Sequence, residues 1–107
     1  MIRSQSNGSP FKVIAPGTVR ASLKQLQREA AERGIGPAAL SAIKTIYNWL
    51  RYEPLAFGEP LFHLYKLKLQ VRTGVIWPLA IDYAVHQVEP LVFIKGVRLL
   101  SQSDSPE

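Results

Sequence analysis

The chain reads as a single α+β domain: a short strand, a hairpin of two helices, then a three-strand antiparallel meander, with the helical hairpin packed on one sheet face. Three observations carry this expectation. Apolar residues recur at helical spacing between residues 18 and 52, and after Pro60 they alternate with a period of two. Glycine and proline mark the breaks, at Gly34 to Gly36 and again at Pro54 to Pro60. With 107 residues, 47% of them apolar and 20% charged, the chain supports one hydrophobic core and no more.

The elements follow in order. Residues 1–10 are polar and are expected to form a loose tail, as are the Ser-rich residues 101–107. The domain proper spans residues 11–100. Phe11 to Ala15 alternates briefly before Pro16-Gly17, which reads as a strand entering a turn. Thr18 is the expected N-cap of the first helix and Gly34 its stop. Val19, Leu23, Leu26 and Ala30 share one face of it. Pro37 opens the second helix, in the first turn where its missing N–H costs nothing. Ala39, Ile43, Ile46 and Leu50 repeat the stripe, and Pro54 ends it.

Leu61 to Arg72 alternates without interruption and is expected to be one strand, followed by a tight turn at Thr73-Gly74. Val75 to His86 is apolar on both faces for most of its length, as a central strand is, with Pro78 marking a bulge or an irregular start. Leu91 to Leu100 closes the meander. The expected core comprises Leu23, Leu26, Ile43, Ile46, Leu50, Leu67, Leu69, Ile81, Tyr83 and Phe93.

Thirteen Lys and Arg against eight Asp and Glu give a net charge of +5 and a pI near 9.8, a balance that suits polyanionic partners. The expected strand places Lys66, Lys68 and Arg72 on one face with Gln70 between them. Such a row could follow a phosphate backbone, or it could be the solvated side of a sheet. On the last strand Arg98 falls on the face of Val92, Ile94 and Gly96. There is no cysteine, and His63 and His86 lack carboxylates spaced to help hold a metal, so no metal or other cofactor is expected. His63 alternates with core positions and reads as half-buried structure, and His86 as surface beside a turn. The N-terminus lacks the apolar stretch of a signal peptide, and the longest apolar run, Val75 to Ile81, is too short to span a bilayer. The expectation is a cytoplasmic protein without membrane contact.

The order of elements resembles the RelE/ParE toxin superfamily of type II toxin–antitoxin systems. So do the loop Glu53-Pro54-Leu55-Ala56-Phe57-Gly58, the strand Tyr65-Lys66-Leu67-Lys68-Leu69, and the segments Tyr83-Ala84-Val85 and Leu91-Val92-Phe93-Ile94. The resemblance implies a toxin that cleaves mRNA on the ribosome, with Lys66, Lys68 and Arg98 as catalytic residues and Gln70 and Arg72 completing the RNA contact. It also implies an acidic antitoxin as partner. Two positions that carry arginine in the family are Ala80 and Leu100 here, and the C-terminal tyrosine or histidine of many members has no counterpart. That incomplete set leaves open a toxin directed at DNA gyrase, or a non-toxic binding module of the same fold.

Overall fold

The computed structural model describes residues 10–100; the expected tails therefore lie almost wholly outside the described residues. Two helices pack on one face of a five-stranded mixed sheet. Strand β1 (Lys12–Ile14) leads to α1 (Gly17–Glu32) and α2 (Gly36–Tyr52). Four strands follow: β2 (Glu59–Leu64), β3 (Leu69–Ile76), β4 (Leu79–His86) and β5 (Leu91–Leu99). The sheet order is β1-β5-β4-β3-β2, with β1 parallel to β5 and every other pair antiparallel.

The helical hairpin forms as expected, with one difference at its start. Pro16, not Thr18, occupies the N-cap of α1, so Thr18 sits inside the first turn and no side chain caps the helix. At the other end Gly34 takes φ +79°, and the N–H groups of Gly34 and Ile35 donate to the carbonyls of Ala31 and Ala30 at 3.0 and 2.9 Å. These paired bonds are the Schellman arrangement, which satisfies carbonyls the helix leaves open.

The strand expected over Leu61 to Arg72 is instead two strands. The chain turns through a short 3-10 segment, Tyr65–Leu67, and Lys68 adopts the left-handed conformation at φ 56°, ψ 43°. It then runs back so that Leu64 pairs with Leu69 and His63 with Gln70. The meander therefore has four strands, not three. A continuous strand of that length would extend roughly 40 Å, far beyond neighbours of eight and nine residues. Folding back pairs those backbone groups within the sheet. Leu67, expected in the core, lies at the tip and is 61% exposed.

Thr73 and Gly74 do not turn; they lie within β3. The reversal comes at Trp77-Pro78, whose peptide bond is cis, between the paired residues Ile76 and Leu79. Gly74 has a packing role: a Cβ there would meet ring carbons of Phe57 at 2.6 Å.

In β5 the register shifts so that Tyr83 pairs with Ile94 but Asp82 with Gly96, leaving Lys95 as the extra residue of a bulge. The bulge reverses the alternation, so Val97 and Leu99 join Ile94 and the buried Val92 in packing against the core. It also places Arg98 beside Ala80, on the face opposite Val92 and Ile94. The expectation that Arg98 shares their face is thus corrected.

Leu26, Ile46, Leu50, Ile81 and Tyr83 are buried as expected, joined by Phe57, Leu79 and Val85. Leu23, Ile43, Leu69 and Phe93 are only half-buried. No described helix is long and apolar enough to cross a membrane.

Candidate functional site

Arg72 was expected on an open basic surface; it is buried, at 6% exposure. Its strand neighbour across the sheet is Tyr83, so it lies on the face that carries the helices. The guanidinium donates to the carbonyls of Leu55 (3.0 Å), Phe57 (3.2 Å) and Gly58 (3.2 Å), and to Oε1 of Gln70 (2.6 Å). Its Nε also lies 3.3 Å from the Tyr83 hydroxyl, which in turn donates to the carbonyls of Pro54 and Phe57. Burial raises the Tyr83 pKa above its ordinary value, while the hydrogen bond and charge of Arg72 oppose the rise. The loop Pro54 to Gly58 is thus held by one cation reading a row of backbone carbonyls. Gly58 suits it because φ is +68° and a Cβ would lie 2.3 Å from the Thr73 carbonyl oxygen.

The remaining residues of the expected cationic row separate as well. Lys66 lies in the 3-10 segment and Lys68 in the left-handed turn, both exposed at the β2–β3 tip. Neither belongs to a strand face shared with Arg72. Arg98 is further removed. It pairs with Ala80, six residues along β4 from His86 at the tip's end of the sheet, or about 20 Å at strand rise. The proposed catalytic set of Lys66, Lys68 and Arg98 is therefore not assembled in one place.

What the fold does assemble is a different cluster at that end. Lys68 accepts a backbone hydrogen bond from Gln87 at 2.8 Å, which ties the β2–β3 tip to the turn between β4 and β5. Beside this junction lies a cleft of about 400 Å³ lined by Phe11, Leu55, Gln70, His86 and the residues of the turn, Glu89 among them. Gln70 links two regions. Its oxygen takes the Arg72 bond, and its amide nitrogen lies 3.3 Å from Nε2 of His63. That orientation makes His63 Nε2 the acceptor and puts its proton on Nδ1 in the neutral ring.

The His63 ring stacks on Tyr65, with centroids 5.2 Å apart and planes within 13°. Tyr65 is 78% exposed, so one face of the pair is open to a ligand. His86 Nδ1 accepts the N–H groups of Val88 and Glu89, at 3.1 and 2.9 Å, which fixes the neutral ring with its proton on Nε2. The two lysines and the exposed aromatic stack thus share the tip, while His86, paired with Leu69, lies on the other sheet face from His63 and reaches the cleft from there. Among the described residues no group of three His, Asp or Glu is placed to hold a metal ion.

His63, Tyr65 and His86 were missed as site members by sequence reasoning. The alternation already places His63 and Tyr65 on one face, but it hides the turn that leaves the pair at an exposed tip. No protein-family model matches the chain, and neither a curated protein nor a solved structure of significant similarity was found.

Proposed function

We propose that the protein binds single-stranded RNA at the β2–β3 tip, and that it acts in the cytoplasm as a RelE/ParE-like toxin on ribosome-held mRNA. The observation that carries the proposal is the exposed Tyr65–His63 stack flanked by Lys66 and Lys68. Aromatic faces accept unpaired bases of any identity, and ammoniums at neighbouring positions follow the phosphates. The strand, helical hairpin and antiparallel meander support the superfamily reading, as does the basic net charge, which also suits an acidic antitoxin. In this reading Lys66 and Lys68 neutralise phosphate charge, Gln70 lines the cleft, and the Nε2–H of His86 donates a hydrogen bond to a phosphate oxygen. Arg72 acts by holding the loop rather than by touching RNA.

The test is fluorescence anisotropy of a labelled single-stranded RNA, with growth and mRNA integrity followed in expressing cells. Wild type is expected to bind, and to arrest growth with cleaved mRNA. Tyr65→Ala and the double change Lys66→Ala, Lys68→Ala are expected to lose both effects while remaining folded. Absence of RNA binding by a folded wild type would refute the proposal.

The distance of Arg98 from the tip favours one second reading, a toxin of the gyrase-directed branch. Growth arrest with intact mRNA and altered DNA supercoiling would select it. No arrest at all would select a non-toxic binding module.

A further inference from the structure

Between the helical hairpin and the β1–β5 side of the sheet lies a cavity of about 280 Å³. Leu23, Ile43, Leu50, Ile81, Ile94 and Val97 are among the residues of its wall. Among the described residues, the polar side chains that reach it are those of Arg20 and Tyr47. We infer that this cavity is a binding site for a carboxylate on a medium-length alkyl chain, with the tail among the aliphatic residues and the carboxylate at Arg20.

Leu23 and Ile43 lie on the core stripes of their helices, yet both remain half-buried. The rest of each stripe is buried in the core, and these two positions border the space. The space opens to solvent on one side, and covering its apolar wall with an alkyl chain removes that surface from water.

Size narrows the occupant. An apolar cavity of roughly 150 Å³ is filled by benzene, so one nearly twice as large takes a chain of about eight to ten carbons. Charge selects the head group. Arg20 makes a single side-chain hydrogen bond among the described residues, to the neutral carbonyl of Ala15 at 2.9 Å. Among the described residues no carboxylate lines the cavity. A second cation, Arg51, lies 5.8 Å from the Tyr47 ring centroid, outside the cavity lining. The site therefore favours an anion and disfavours an amine of equal length. A free fatty acid carries this chemistry, whereas the acyl chain of a phospholipid ends in an uncharged ester.

Calorimetric titration of the intact protein with hexanoate, octanoate and decanoate, each below its micelle concentration, tests the assignment. Affinity is expected to rise about fourfold per added methylene until the chain fills the cavity. Octylammonium and octanol are expected to bind at least about tenfold more weakly than octanoate. Arg20→Gln should bring octanoate down to the level of octanol. Ile43→Phe, which fills the cavity, should abolish binding with the helical circular dichroism retained, and Leu23→Phe is the second filling variant should the first not fold. Both filling variants should bind RNA as wild type does, which separates this site from the tip. Co-sedimentation with anionic phospholipid vesicles, lost in the same variants, would overturn the free carboxylate in favour of a lipid chain. Failure of folded wild type to bind octanoate saturably, affinity independent of chain length, or equal binding of octylammonium would overturn the assignment.

Discussion

At the scale of single residues, Arg72 shows how a charge can be buried without a carboxylate. A cation removed from water needs its donors filled, and the carbonyls of Leu55, Phe57 and Gly58 fill them with charge-assisted bonds. Removing the guanidinium leaves those carbonyls without their donor and frees the loop. Arg72→Met is therefore expected to lower unfolding free energy by about 3 kcal/mol, measured by urea denaturation. A loss under about 0.5 kcal/mol would show that the loop is held some other way. Tyr83 adds a pH dependence. Its folded pKa is raised, so its contribution is fully present below the unfolded value near 10 and is lost as pH rises through the folded value. Thermal melts between pH 9 and 11 should show a fall in stability that Tyr83→Phe reduces.

At the scale of elements, the β2–β3 hairpin is the informative one, since its turn uses no glycine. Lys68 holds a left-handed conformation that an L side chain adopts at a cost of about 1 kcal/mol. Lys68→Gly is expected to raise stability by about 0.5 kcal/mol once the entropy of glycine is subtracted. It removes a tip charge at the same time, so RNA affinity should fall severalfold while the melting temperature rises. A variant that lost stability and binding together would place Lys68 in packing instead. The β5 bulge works on the same scale. Lys95, displaced by it, reaches within 5.7 Å of the Phe62 ring. Phe62, Val71, Ala84 and Phe93 form a paired row across the sheet. Cover from the larger members of this row explains why Val71 and Ala84 are buried on a face that carries no helix.

For the whole molecule, strand direction sets which charges can cooperate. Lys66 and Lys68 sit at one end of the sheet and Arg98 toward the other, so a ligand held at the tip does not feel both at short range. Arg98→Ala is expected to leave RNA affinity within about twofold of wild type at physiological salt. The double change Lys66→Ala, Lys68→Ala should lower the slope of log affinity against log salt by about 1.4, the contribution of two phosphate contacts to a single strand. The reverse pattern, with Arg98 dominant, would move the binding face to the other end of the sheet.

Much was legible in the amino-acid sequence because it depends on neighbours along the chain. The helical stripes, the breaks at Gly34 and Pro54, the α+β class and the buried Leu26, Ile46, Leu50, Ile81 and Tyr83 all follow from local spacing. The tertiary structure alone decided the rest. Alternation from Leu61 to Arg72 has the same period whether the chain runs straight or doubles back through Lys68, and only the length of the partner strands chooses between them. That choice moved Leu67 out of the core, broke up the row of Lys66, Lys68 and Arg72, and left the Tyr65–His63 stack at an exposed tip. The bulge at Lys95 likewise arises because Val97 and Leu99 find the helix-facing core only after the alternation slips by one. Burial of Arg72 required carbonyls from a loop fourteen to seventeen residues away, a distance at which sequence periodicity carries no information.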